Sequence, residues 1–346
     1  MNIVVVGHYR ENYALGYYLD WRDGFLELAP NHKVSLINTW NRFERPRPIM
    51  DALPLSWSFD ANPFEDLYAG RIACDLLVYA PSFFYFNLGR RRAAITAIAS
   101  RRGPRIPTAF FMENEYRRLA EKVGYAADLG ASILATQVAD EIGAGFYAER
   151  FAGRVVCLPP GLNPRLFHPR TPIEERPVHV GTRSHRYPAG PIGDLRNALL
   201  EVFGRAEGSL AGLNIDVSTR EGARFARTDW ALFLNRCRAT LASEAAGRLR
   251  WNDAEKGLSF GAVSSRHYEA MGTKTALLMP KGSFGGRLRP GEHYVEVDPR
   301  SESSLSEAAR FVRDLGALRD HTDKALGLIR DTETYKARCQ QLLAHV

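Results

Sequence analysis

Cysteine is scarce in this chain. Its four residues, Cys74, Cys157, Cys237 and Cys339, lie far apart, and none belongs to a Cys-x-x-Cys pair. That spacing argues against a thiolate zinc site or a disulfide framework and fits a reducing compartment. Long apolar runs are missing too: none approaches the roughly 18 residues that a membrane-spanning helix needs. The amino-terminal run, Ile3 to Val6, turns polar at once. It reads as a first strand rather than a signal peptide, so the chain is expected to be cytoplasmic. A Gly-x-Gly-x-x-Gly fingerprint is absent, because the segment after that strand, GHYRENYALG, has glycines only at Gly7 and Gly16. No P-loop, His-Glu-x-x-His or Gly-x-Ser-x-Gly motif stands at a strand–helix junction. Nicotinamide dehydrogenase, nucleoside-triphosphatase and serine-hydrolase chemistries all lose ground.

What the chain does have is length and basic charge. Its 346 residues are too many for one ordinary core, so two domains of about 150 residues are expected. With 45% hydrophobic and 25% charged residues it has the composition of a soluble globular protein. Residues 1–160 hold 18 Lys and Arg against 17 Asp and Glu, and residues 161–346 hold 28 against 22, so the excess of +7 sits mostly in the second half. A basic half suits an anionic ligand such as a nucleotide diphosphate, an anionic membrane surface, or nucleic acid. The arginines are scattered, and no nucleic-acid recognition motif accompanies them, so no nucleic-acid partner is expected.

Short apolar runs alternate with helix-length segments. In the first half the candidate strands are 2–7, 33–38, 74–81, 106–112, 131–136 and 154–159, with helices such as 88–102 and 137–151 between them. The pattern restarts with strands at 177–182, 213–218, 238–243, 275–280 and 293–297, and ends in helices over 302–315, 317–331 and 333–345. Continuous apolar strands separated by helices indicate a parallel sheet covered on both faces. The segment 159–177 holds six prolines and no hydrophobic period, which marks a hinge. The expected fold is therefore α/β, with two Rossmann-like, doubly wound domains, 1–160 and 171–332, facing a central cleft. The last helix, 333–346, is expected to pack back on the first domain. Ligands of such sheets bind at the carboxyl ends of the strands.

One stretch near that cleft invites attention: SSRHYEAMGTKTALLMPKG, residues 264–282. Ser264 and Ser265 cap a short helix, Gly272 ends it, and TALLM is a buried strand. Charges at Arg266 and Glu269, in the first turns of so short a helix, either face water or hold something. The free N–H groups and positive dipole end at Ser264, Ser265 and Arg266 favour an anion.

Several segments resemble GT-B glycosyltransferases. VVCLPPGLNPRLFHP (155–169) is similar to their interdomain segment, and VHVGTRSHRYP (178–188) to the first strand and loop of their donor domain. The stretch from Ser264, with the LRPGEHYVEVD that follows, resembles the donor-site helix, strand and Pro-Gly-Glu loop. TYKARCQQLL (334–343) is similar to the closing helix of CgeB-type spore-maturation glycosyltransferases, with Glu333 where members often have histidine. The resemblance implies that Ser264, Ser265 and Arg266 face the diphosphate of a nucleotide sugar and that Glu269 bonds its ribose. It implies a phosphate contact for Arg183 and, as a second candidate, Arg186. Many retaining members carry a Glu-x7-Glu pair, but the position eight before Glu269 is Gly261, which leaves sugar identity and stereochemical outcome open. No Asp-x-Asp stands at a strand end, so arginines and the helix dipole are expected to stabilise the leaving diphosphate, with no metal and no cofactor beyond the donor.

On the acceptor side, transfer to a hydroxyl by inversion needs a base. Glu113 and Glu115 follow a strand at its cleft end and could raise one another's pKa, which makes them catalytic candidates, with His8 a third. The aromatics of PSFFYFN (81–87) suit a sugar or lipid acceptor, but core packing is the commoner fate of such residues. LGRRRAAITAIASRR (88–102) could lie on an anionic membrane as a peripheral contact, but it is expected instead to be a flank helix of the sheet. The sequence thus points to a metal-independent glycosyltransferase acting on a saccharide, lipid-linked or other hydroxyl acceptor. A nucleotide-sugar epimerase of the same architecture, or a non-catalytic protein keeping the nucleotide fold, are the alternatives.

Overall fold

The computed structural model describes residues 1–7, 17–39, 62–86, 89–101, 106–112, 114–187, 190–220, 225–252 and 254–346. Six parallel strands form the first sheet: β1 (Asn2–Gly7), β2 (Lys33–Asn38), β3 (Leu76–Tyr79), β4 (Thr108–Phe111), β5 (Ile133–Thr136) and β6 (Arg154–Cys157), in spatial order 2-1-3-4-5-6. The second sheet is also parallel. Its strands β7 (Val178–Arg183), β8 (Ile215–Ser218), β9 (Cys237–Leu241), β12 (Ala276–Met279) and β13 (Val295–Glu296) run in the order 13-12-9-7-8. Both are doubly wound, and each reverses its strand order beside its first strand, the position where open α/β sheets bind ligands.

The strand sequences read as unbroken apolar runs because both faces are covered. Val4, Val6, Leu77, Tyr79, Phe110 and Leu134 enter one core cluster, while their neighbours Ile3, Val5, Leu76, Val78, Ala109 and Phe111 enter another. Trp21 and Phe25 of α1 (Tyr17–Leu26) cover the second face together with Tyr335, Cys339 and Leu342 of the final helix, Tyr335–Leu343. The Trp21 and Tyr335 rings meet edge-on at 5.1 Å. Full burial of side chains this large contributes about 2–3 kcal/mol each.

The chain therefore crosses between the sheets twice, and the crossings touch. Leu162 N–H donates to the Glu333 carbonyl at 2.7 Å, and Tyr335 N–H to the Leu162 carbonyl at 3.0 Å. Two glycines admit this contact. A side-chain carbon on Gly24 would lie 2.8 Å from Tyr335 Cβ, and one on Gly161 2.7 Å from the backbone of Thr334 and Tyr335.

One element absent from the sequence reading is an antiparallel hairpin, β10 (Ala245–Leu249) with β11 (Leu258–Ala262), inserted after β9. Its Leu249, Phe260 and Ala262 leave the second sheet and join the first sheet's core beside Phe110 and Met112. The hairpin thus spans the two lobes. Phe83, Phe84 and Ile95 are buried in the same core, so these positions of PSFFYFN and of the arginine-rich helix pack against the sheet.

Candidate active site

The reversal point of the second sheet lies between β7 and β9. Over their carboxyl ends sits the helix Ser265–Gly272, preceded by Ser264 in an extended conformation. His267 fixes its first turn. Ser264 N–H donates to His267 Nδ1 at 3.0 Å, which leaves Nε2 to donate to the Ser243 carbonyl at 3.1 Å. The imidazole is fully buried, and burial pushes its pKa down to about 4, so it is neutral. One side chain ties the helix tip to the loop that follows β9.

Arg266 donates from Nη1 to the Arg183 carbonyl at 2.7 Å and lies 4.9 Å over the Trp230 ring. Trp230, on the helix Arg227–Leu234, donates its indole N–H to Glu269 Oε2 at 2.7 Å. Glu269 is buried, and desolvation raises its carboxyl above the usual range. The charge of Asp20 adds to that rise, while Arg266, the Ser265 hydroxyl and Trp230 oppose it. Ser264, Ser265, Arg266 and Glu269 are thus brought together. Arg196 acts on the same turn: its charge bears on His267, and it donates to Ser184 Oγ at 2.8 Å.

Other expected positions lie elsewhere. Arg183 turns its guanidinium onto the face of β7 that meets β8, where it pairs with Asp216 at 2.8 Å and stacks 4.3 Å from the Phe233 ring. Its carbonyl oxygen is the acceptor of the Arg266 bond at the helix tip. Arg186 is exposed, beside a surface hollow of about 210 Å³ lined also by Asn197, Glu201 and Val217. Glu115 is buried with both oxygens occupied. Oε2 accepts from Thr136 Oγ1 at 2.6 Å and from the Tyr147 hydroxyl at 2.5 Å, and Oε1 from Gln137 N–H at 2.6 Å. Desolvation raises its pKa against those three bonds and the charge of Lys122, and the three donors tie the carboxylate to its own lobe. Glu113 and His8 lie outside the described residues.

Three features gave no signal in the sequence. Trp230 is 39 residues from the glutamate it bonds. Arg227 joins the lobes by reaching Asp20 and Asp23 of α1. Glu244 fills the space opened by Gly261: a side-chain carbon at 261 would stand 1.8 Å from Glu244 Oε1. Among the described residues no group of three or more His, Cys, Asp or Glu side chains is placed to hold a metal ion.

No protein-family model and no curated protein matches the sequence. Solved structures do. An alpha-glucosyltransferase in complex with UDP and a 13-mer DNA matches with a TM-score of 0.65 at 11% identity, over 99% of this chain and 98% of its own. The alpha-glucosyltransferase with UDP-glucose and DNA containing an abasic site gives 0.62 at 11%, with the same coverage. An alpha,alpha-trehalose-phosphate synthase (UDP-forming) from Burkholderia vietnamiensis gives 0.55 at 12%, again over 99% and 98%. These likenesses establish the fold, two Rossmann-like units of the GT-B kind. They also correct one expectation. The exclusion of nucleic acid does not stand, since matching structures of this fold hold DNA together with UDP or UDP-glucose.

Proposed function

We propose that the chain is a glycosyltransferase that moves a sugar from a nucleotide-diphosphate donor to a hydroxyl acceptor without a metal ion. The observation that carries this reading is the convergence of the helix tip at Ser264–Arg266 with the buried Glu269, at the reversal point of a doubly wound sheet. A diphosphate at that tip meets backbone N–H groups, the positive helix end and nearby arginines, all suited to the charge that gathers as the glycosidic bond breaks. Glu269, one turn on, then bonds the ribose hydroxyls. Matching glycosyltransferase structures that hold UDP and UDP-glucose support the donor class. Kinship with the CgeB-type enzymes and the boundaries 1–160 and 171–332 belong to the same proposal. Acceptors to be tried include saccharides, lipid-linked sugars and nucleic acids.

The test is a thermal-shift panel of UDP, GDP, ADP and their sugars, followed by measurement of released diphosphate with and without acceptors. A ligand at 100 times its Kd stabilises by about 2.7 kcal/mol. No shift with any diphosphate would remove the reading, and release that needs no acceptor would point to hydrolysis.

A further inference from the structure

Glu244 stands three residues beyond β9, at the same sheet end as the helix tip. Its neighbour Ser243 accepts the bond from His267, which ties this loop to that tip. Oε1 of Glu244 accepts from Ser283 Oγ at 2.7 Å and from the Phe284 N–H. No described residue donates to Oε2, and the side chain is only half-buried.

The surroundings are shaped around this carboxylate. A side-chain carbon at Gly261 would fall 1.8 Å from Glu244 Oε1, 2.4 Å from its carboxyl carbon and 2.3 Å from Ser283 Oγ. One at Gly282 would press on the Phe284 ring at 2.8 Å and on Glu244 Cβ at 3.2 Å. Gly285, next along, lies against the Gly261 carbonyl and against Ala139 of the first lobe. The cradle therefore sits where the lobes meet, beside the turn that favours an anion.

We infer that Glu244 reads the hydroxyls of the transferred sugar and so determines donor specificity, with Gly261 kept small to admit it. This rests on the donor-site reading above. A sugar joined to a diphosphate at the helix tip extends from it by one ring, and hydroxyls are donors that a carboxylate accepts well. Pinning Oε1 to Ser283 and Phe284 fixes the orientation of Oε2 before the sugar arrives, which lowers the ordering cost of binding. Glu244 takes no part in bond making; it selects.

The experiment is calorimetric titration of the wild type, Glu244→Gln and Gly261→Ala with UDP, GDP and ADP and with UDP-glucose, GDP-mannose and ADP-glucose. For whichever nucleotide binds, the diphosphate affinity of Glu244→Gln is expected to stay within about twofold of wild type. Its affinity for the matching nucleotide sugar is expected to fall about tenfold or more, the size of a lost charge-assisted hydrogen bond. Gly261→Ala, which displaces the carboxylate, is expected to reproduce the selective loss. Equal weakening of diphosphate and sugar, or a lower melting temperature without selective loss, would make Glu244 a cap for the Ser283 turn and overturn the inference. If no diphosphate binds the wild type, the donor site itself fails and this inference falls with it.

Discussion

Arg227 reaches from the second lobe into a buried acidic corner of the first: its Nε lies 3.0 Å from Asp20 Oδ1, and its Nη2 bonds both Asp20 and Asp23. Asn163, in the hinge, donates to Asp20 at 2.7 Å and to Asp23 at 3.1 Å. Arg227 keeps its proton more firmly than a free arginine, held by Asp20 and Asp23 against the cost of burial. Removing one member of such a group leaves a charge in a dry place, which costs about 3–5 kcal/mol. Arg227→Ala is therefore expected to lower the urea midpoint sharply. The double variant Asp20→Asn, Arg227→Ala should recover part of the loss, because the fully buried carboxylate is then neutral and Asp23 keeps its pairing with Arg22. Strict additivity in that cycle would show that the lobes are held together by something else.

Trp230 offers a narrower test of the donor site. Its indole N–H is one of the groups that oppose the rise of the Glu269 pKa caused by burial. Trp230→Phe keeps the packing against Phe233 and Arg266 and deletes only the donor. The stability cost is expected to be about 1–3 kcal/mol, that of a buried acceptor losing its partner. Nucleotide affinity should drop about tenfold, as the carboxylate takes up a proton or turns away. Unchanged affinity would detach Glu269 from the ribose.

His267 sets a pH dependence whose sign is fixed. Burial holds its pKa near 4, against an ordinary value of 6.5. As pH falls through 6.5 the unfolded chain takes up a proton on this side chain and the folded chain does not, so stability is lost between pH 6.5 and 4 and regained as pH rises. At about 1.4 kcal/mol for each pH unit between the two values, the loss approaches about 3 kcal/mol near pH 4. Glu269, whose carboxyl is raised, works in the opposite sense. The informative quantity is therefore the difference between wild type and His267→Gln: chemical melts across pH 4–7 should show a shallower slope in the variant. Parallel slopes would mean that the imidazole is already open to solvent.

The sheets were legible because covered parallel strands leave an unmistakable trace, such as Ile3 to Val6 or Leu76 to Tyr79. The hairpin was not, for Ala245–Leu249 and Leu258–Ala262 are rich in small and mixed residues, and their packing partners belong to the other lobe. The helix tip could be read because its residues are consecutive. The pairing of Arg183 was not legible, because nothing local announces that β8 lies alongside, bringing Asp216 to the same face. Glu244 and Gly261 meet only through the hairpin between them. Pairings made by the tertiary path leave no mark on either segment.

Glu115 gives the clearest contrast between a catalytic and a holding role. Its oxygens join the end of β5, at Thr136 and Gln137, to Tyr147 on the helix Asp140–Ala148. The bracket orders the loop that carries Ala139 against Gly285 of the other lobe. Three donors of its own lobe already hold this carboxylate, which suits a holding role. Glu115→Gln is thus expected to lose about 1–3 kcal/mol of stability, since one donor then meets an amide N–H instead of an oxygen. Turnover of the folded fraction, measured well below the melting temperature, should stay within a few-fold of wild type. A hundredfold loss of turnover with an unaltered melting curve would return the role of base to Glu115.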